Sequence, residues 1–447
     1  MAEVHHVIIV GSGIAGLAAA DLLSAHGLRV LVVDDNACSG GQLLRQPIYG
    51  KKPNSGFEPD RIKRRGSRLS TALKHSRVEM LQNAQVLGIY PENTLLVEAP
   101  PGRVSEYGAR AVVLTTGARE RQVPFKGWTL PGVISTGGAQ ILMKGSGILP
   151  GAKPLIAGCG PLLFVVAAEI LAKGGKVMGI LDLSSAAKKL NVFGAGPAIG
   201  SKLLEGALCL ARLAAARVPL WQRRRVVEAR GSRCLEAVVA ARVDARGRVR
   251  PGTERVYPVD TLAMGHGFAP NIELPLQAGC RVRYADAAGG WHVAVNAAMQ
   301  TSVAGIHAVG ETTGIGGGGK SLVEGRLAAW HILKAMGRVK PAAHRRHVAT
   351  LERRRRRCEE IRLGEIRRAM GNGFTTLDGL KRATRCGMGL CQGRTCGPIL
   401  IDLLRHVGRG CPEVIGPPSS RAPVKTVTLG ALARMTTLHG TGGEALE

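Results

Sequence analysis

Aromatic side chains are scarce in this 447-residue chain: six Phe, five Tyr and four Trp make up 3% of it. Proteins that stack unpaired bases lean on such rings, so a base-stacking nucleic-acid platform is excluded. Long apolar runs are also missing. None approaches the ~20 residues of a membrane span, so no transmembrane segment is expected. Val7 to Val10 is a short strand-like run and not the longer apolar segment of a secretion signal. These absences point to a cytoplasmic protein. Acidic residues are few, 32 against 61 Lys and Arg, leaving a formal net charge of +29. Such an excess can serve nucleic acid, an anionic membrane or an acidic protein, or can simply be solvated arginine. With so few rings no nucleic-acid partner is expected, while peripheral attachment to the inner face of a membrane stays open. Ten cysteines in a chain of this type are expected to be mostly reduced.

What is present is glycine, 61 residues, within a 45% hydrophobic composition. That combination fits a loop-punctuated α/β enzyme, and the length calls for two to four domains. The β-branched run at Val7 to Val10 flows into Gly11-Ser12-Gly13-Ile14-Ala15-Gly16 and then an alanine-rich helix pattern. A second apolar strand, Val30 to Val33, ends on Asp34-Asp35. Each part has a task in dinucleotide binding. Gly11 permits the tight turn, Gly13 lets backbone approach a pyrophosphate, and Gly16 lets helix and strand pack closely. The helix N-terminus offers free N–H groups to phosphate, and Asp34 or Asp35 can take ribose hydroxyls.

The pattern recurs at Pro154 to Leu163, with Gly158 and Gly160 in place, and a strand ends at Asp182. Leu163 stands where the third glycine belongs and Pro161 stiffens the turn, so this second unit either holds an adenine nucleotide or merely keeps the fold. If it binds, Asp182 is expected to favour a free 2′-hydroxyl over a 2′-phosphate. The Pro/Gly-punctuated stretch 123–133 marks a crossover between domains. Near residue 258 the chain is expected to return to the first domain, with a strand at 259–264, another at Gly305 to Val309, a glycine-rich turn at 312–320 and a helix from Ser321. A Pro/His/Arg-rich linker, the run Arg353 to Arg357 and a cysteine-bearing module close the chain. The domains expected are therefore 1–122 with 257–340, an inserted 123–256, and 341–447. The fold class is α/β: two dinucleotide-binding (Rossmann-like) domains, the second inserted in the first, plus a small, mostly helical C-terminal cysteine module.

Taken in order, Gly11 to Gly16, Thr115-Thr116-Gly117, Gly158 to Leu163 and Gly310-Glu311 resemble the two-dinucleotide-domain flavoproteins. The stretch Gly117 to Gly132 and the C-terminal Cys391-Gln392-Gly393-Arg394-Thr395-Cys396 narrow the likeness. The chain resembles the FAD-binding alpha-type subunits of bacterial amino-acid and opine dehydrogenase complexes, a group spanning opine oxidase, hydrogen cyanide synthase and dye-linked proline dehydrogenase. The resemblance implies FAD on the first unit, with Gln42, Thr116, Gly117, Gly310 and Glu311 closing over it. It also implies a hetero-oligomer in which a separate amine-oxidase-like flavoprotein subunit oxidises the small-molecule substrate. Disulfide reductases of this fold need two neighbouring cysteines at the flavin. Ser39 to Leu44 has none and Cys159 has no C-x-x-C mate.

Cys391 and Cys396 form a C-x4-C pair, with Cys358 upstream. Thiolates at such spacing ligate iron, and a [2Fe–2S] cluster ordinarily takes four. In the family pattern a fourth cysteine precedes Cys358, where this chain has Arg356. Either Cys386 substitutes, or the cluster is absent or labile. No residue stands out as a general base; His266 and His307, expected near the flavin edge, read equally well as packed residues. The function expected is an FAD-dependent oxidoreductase subunit relaying electrons in an amino-acid, imino-acid or opine dehydrogenase or oxidase. The alternatives are a stand-alone NADH-dependent flavin reductase and, from another class, a non-catalytic scaffold or nucleic-acid binder using the basic charge, which the sparse aromatics count against.

Overall fold

The computed structural model describes residues 3–45, 61–74, 78–99, 103–184, 200–244, 247–285 and 288–356. The first sheet is built from β1 (Glu3–Val10), β2 (Val30–Val33), β3 (Glu79–Leu81), β4 (Gln85–Tyr90), β5 (Thr94–Ala99) and β6 (Arg103–Leu114), in the order β3-β2-β1-β6-β5-β4. A late strand, Ile306–Ala308, pairs in parallel with the end of β6. The alternation-free apolar runs explain the arrangement. All four residues of β2 are buried, as expected of a parallel strand covered on both faces. The covering helices on one face are α1 (Ile14–Ala25) and the long Gly317–Ala335 helix, whose Leu17, Leu327 and Leu333 are fully enclosed. The C-terminal ends of β2, β1, β6 and Ile306–Ala308 lie on one edge, the side on which open α/β sheets hold ligands.

After β7 (Ala118–Glu120) the chain builds a second, all-parallel sheet from β8 (Val133–Ser135), β9 (Pro154–Gly158), β10 (Gly179–Asp182), β11 (Leu220–Gln222) and a fifth strand, Thr261–Gly265. Their order is β11-β10-β9-(261–265)-β8. A three-stranded antiparallel meander of Arg224–Arg230, Ala237–Arg242 and Arg255–Pro258 packs beside it. The strand at 261–265 is expected from the sequence in the first domain. It pairs instead with β9 and β8, so the second sheet extends past 257 to Gly265. Only then does Phe268–Pro270 return, pairing antiparallel with β7.

Two further expectations are corrected. The glycine-rich turn is shorter than read, because the helix begins at Gly317 and not Ser321. Residues 341–356 are not a linker. They form a helix, Pro341–Arg356, whose Val348 and Leu351 are buried in the first unit's core and whose His347 stacks on Trp330 at 4.3 Å. The chain divides into compact units at 351/352, eleven residues beyond the boundary read from the sequence. Among the described residues no helix is long and apolar enough to cross a membrane.

Candidate functional site

Around the first turn, the three glycines are needed for three different reasons. Gly11 has φ +102°, and a Cβ there would lie 2.6 Å from the Thr115 carbonyl oxygen. A Cβ on Gly16 would fall 2.0 Å from the Gly11 carbonyl oxygen, so the helix crosses the strand too closely for any side chain. Gly13 is the opposite case: a Cβ would meet nothing within 4 Å. Its bareness answers no demand of the fold and leaves an open backbone cradle at the helix N-terminus. Ser12, Ile14 and Ala15 complete the turn; Ser12 is fully buried.

Asp34 and Asp35 separate in role. Asp34 is buried and its Oδ2 accepts bonds from the Ser12 N–H and hydroxyl, both at 2.5 Å. Its Oδ1 accepts from the Asn36 N–H (2.8 Å) and Nδ2 (2.9 Å). All four bonds serve the turn itself. Asp35 is the exposed one. Loss of hydration, with the adjacent Asp34 charge second, pushes its carboxyl up. Gly41, at φ +58°, lies close over the Gly13 Cα, which carries Gln42 to the rim of the cradle.

The closing segments are tied together by residues not singled out in the sequence. The Thr116 hydroxyl bonds to the Asn271 carbonyl and the Thr312 hydroxyl, each at 3.0 Å, and the Gly117 N–H donates to Thr312 Oγ1 at 3.1 Å. Glu324, fully buried, accepts from the Gly310 N–H (2.9 Å) and the Thr313 hydroxyl (2.8 Å), and pairs with Lys320 at 3.1 Å. Lys320 Nζ in turn donates to the Gly310 and Gly314 carbonyls and to Thr313. This pair sets the turn that presents Glu311, whose Oε1 accepts from the Gly316 and Gly317 N–H groups at the start of the next helix. Gln42, Arg45, Arg119, Gly138, Lys144 and Asn271 line a cavity of about 320 Å3 between the first and second sheets' elements, within the usual size range of ligand pockets.

The second turn differs. Gly158 needs φ +132° and lies against the Gly265 carbonyl, and a Cβ on Gly160 would meet open space. Leu163 is fully buried in the second core. Asp182 does not face a ligand: it is completely enclosed, and its Oδ1 accepts from the Ser184 N–H (2.9 Å) and hydroxyl (2.7 Å). The carboxylate expected to read a 2′-hydroxyl is thus engaged by its own turn. His266 stands at this second edge and not beside the first turn; burial, then the Arg225 charge, pushes its pKa down. His307 sits on the first sheet facing the Ala298 carbonyl, also pushed down by burial. Burial, with the Asp182 charge second, pushes the Cys159 thiol up, the reverse of a reactive thiolate. Among the described residues the five cysteines are free and no three metal-binding side chains cluster. Cys358, Cys386, Cys391 and Cys396 lie outside the described residues.

Residues 5–337 match the family model for pyridine nucleotide-disulphide oxidoreductases. The chain belongs to that family. Residues 357–406, which include all four cysteines of the C-terminal group, match a BFD-like [2Fe-2S] binding domain. The chain is 32% identical to one of the subunits of opine oxidase from Rhizobium meliloti (strain 1021), covering 95% of this chain and 98% of that protein. It is also 32% identical to the HcnB component of hydrogen cyanide synthase from Pseudomonas aeruginosa, over 89% and 92% of the two. In fold it is similar to the crystal structure of L-proline dehydrogenase from P. horikoshii, with a TM-score of 0.53 and 21% identity over 97% of this chain and 81% of that one. This pyridine nucleotide-disulphide oxidoreductase relative is thus a flavin-dependent oxidoreductase with FAD as its cofactor. The first cradle fits that group: open space at Gly13, an exposed Asp35 and a cavity beside Gln42.

Proposed function

We propose that this protein is the electron-relaying FAD subunit of a hetero-oligomeric dehydrogenase or oxidase acting on an amino acid, imino acid or opine. What supports this most is the contrast between its two turns. The first keeps all three glycines and an exposed acid, Asp35, beside them, whereas the second has a fully buried leucine in place of the last glycine. The runner-up, a stand-alone NADH-dependent reductase, needs the second turn to present a hydride donor to the flavin.

In this proposal Gly11, Ser12, Gly13, Ile14, Ala15 and Gly16 seat the pyrophosphate, Asp35 takes the ribose, and Gln42, Thr116, Gly117, Gly310 and Glu311 enclose the flavin end. FAD supplies the two-electron chemistry. The protein binds it, orients it through the Lys320–Glu324 pair, and leaves the 320 Å3 cavity beside Gln42 for access. Substrate oxidation takes place in an amine-oxidase-like flavoprotein partner, and the pair works in the cytoplasm. Three thiolates, Cys358, Cys391 and Cys396, with Arg356 at the fourth position, make the [2Fe–2S] cluster absent or labile, since guanidinium offers no lone pair to a metal.

Anaerobic flavin reduction tests the assignment. Bleaching by an amino-acid or opine substrate only in the presence of the co-purified partner is the expected result. Rapid bleaching of the isolated chain by NADH overturns it in favour of the stand-alone reductase. For the module, iron and sulfide analysis after anaerobic purification should find far less than two irons per chain; a full, stable complement lost in Cys386→Ser would identify Cys386 as the replacement ligand.

A further inference from the structure

Four Trp and five Tyr stand among 447 residues, so the place where such rings surface is informative. Two of them meet on a hairpin of Val282–Ala285 and Gly290–Val293, antiparallel strands that pair Tyr284 with Trp291. Strand alternation puts both on one face with Val282 and Val293. Val293 enters the first sheet's core, whereas Tyr284 is 58% exposed and Trp291 53%. Their rings meet edge to face with centroids 5.4 Å apart. A cross-strand aromatic pair steadies a hairpin, yet steadying needs only the contact between the rings and leaves the outer surface of both unused.

The patch is held in place from below. Arg121 Nη2 donates to the Gly289 carbonyl at 2.9 Å, and the Arg121 N–H donates to the Gly267 carbonyl at 2.8 Å. A Cβ on Gly290 would lie 3.7 Å from Arg121 Nη2 and 3.8 Å from Tyr284 Cε2, so guanidinium and ring flank the same glycine. Behind them the Ile315 N–H donates to the Ala288 carbonyl at 2.9 Å, and Gly289 abuts Ile315. The hairpin therefore rests on the turn that follows Glu311, the turn read above as enclosing the flavin end. Exposed Trp, Tyr and Arg, fixed before anything binds, are the composition of a protein-binding hot spot.

Charge decides the occupant. Residues 281–293 carry exposed Arg281 and Arg283 against one acid, Asp286, which lies outside the described residues, and Arg121 adds a further exposed cation. With 61 Lys and Arg against 32 acids in the whole chain, a second copy would meet this face with like charge. We propose that the 282–293 hairpin is the surface on which this chain docks the flavoprotein partner of the complex, against an acidic face of that partner with pockets for Trp291 and Tyr284. The proposal rests on the hetero-oligomer reading and adds to it the place of contact, beside the turn at the flavin end.

The test titrates the purified partner subunit into the flavin-loaded full chain by calorimetry. Trp291→Ala should weaken binding about thirtyfold, the scale of a hot-spot aromatic, and Tyr284→Ala should weaken it in the same direction. Arg283→Glu should weaken it at low salt, and rising sodium chloride should lower the wild-type affinity more than that of Arg283→Glu. Each variant alone should keep its flavin content and Tm. Val256→Ser, at a comparably exposed position on the meander, should bind as wild type does. A wild-type complex that Trp291→Ala leaves intact, or that Val256→Ser weakens as much, would overturn the docking surface and spare the hetero-oligomer reading. Absence of any wild-type complex would overturn that reading and this proposal with it. Self-association of the chain that is lost in Trp291→Ala would make a second copy the occupant, and a marked loss of Tm in that variant would make the ring pair a hairpin staple; either result overturns the proposal.

Discussion

Substituting alanine at Gly13 and at Gly16 should damage this protein in two distinguishable ways. At Gly16 the new methyl would stand 2.0 Å from the Gly11 carbonyl oxygen and 3.1 Å from Thr115 Oγ1. Neither can retreat freely, since Thr115 Oγ1 itself donates to Gly11 O at 2.7 Å and to Val10 O at 2.9 Å. The helix must move off the strand by more than an ångström, which places the cost near the top of the overpacking range, about 3 kcal/mol, or roughly 4 °C in Tm for a unit of this size. Gly13 has φ −64° and ψ 177°, open to any residue, and its methyl would meet nothing. The flavin-free Gly13→Ala protein should therefore be as stable as wild type or gain about 0.5 kcal/mol from a less flexible unfolded chain. Its flavin content, read from the flavin absorbance per chain, should fall at least tenfold because the methyl occupies the pyrophosphate's place. Melting curves of flavin-free protein and absorbance of the loaded forms separate the two effects. Parent-like flavin content in Gly13→Ala, or a parent-like melt in Gly16→Ala, would refute the division of labour.

Three further outcomes follow from the same geometry. Asp35→Asn should weaken FAD binding about tenfold, the scale of one hydrogen bond to a charged group, with the flavin-free Tm unchanged, whereas Asp34→Ala should lower that Tm by unfastening Ser12 and Asn36; titration and melting together check both. Lys320→Met should cost about 3–5 kcal/mol in urea denaturation by leaving the fully buried Glu324 carboxylate without its cation, and Lys320→Met combined with Glu324→Leu should recover most of it. Burial, then the charges of His344, His307 and Lys334, push His331 down to about 4. The unfolded chain, titrating near 6.5, binds the extra proton first, so stability holds above that pH, declines as pH falls toward 4, and declines less in His331→Gln, as acid-denaturation midpoints would show.

The first turn is legible in the sequence because its chemistry is local: a run of β-branched residues, three glycines and a strand-end acid all fall within the first 35 residues, and each constrains its own backbone. What escapes the sequence is non-local. The strand at 261–265 belongs to the second sheet only because it pairs with β9, far earlier in the chain. Asp182 and Asp34 end equivalent strands, and both turn inward to cap neighbouring hydroxyls and amides, a choice that depends on Ser184 and Ser12 rather than on the acid. Thr312 and Asn271 join the closure through hydrogen bonds to Thr116 and Gly117, which no spacing rule encodes.

The antiparallel pair of Ala118–Glu120 with Phe268–Pro270 makes the inserted unit separable from the first. The chain leaves the first unit at Gly117 and resumes it at Asn271, two residues already joined by a hydrogen bond of 3.0 Å. Everything between them is an appendage on a single stem, so a short peptide across that gap would restore a continuous first unit. A change at Leu163, which packs wholly within the second core, therefore meets no residue of the flavin cradle. A protein wired this way can keep one binding function intact while its other domain changes.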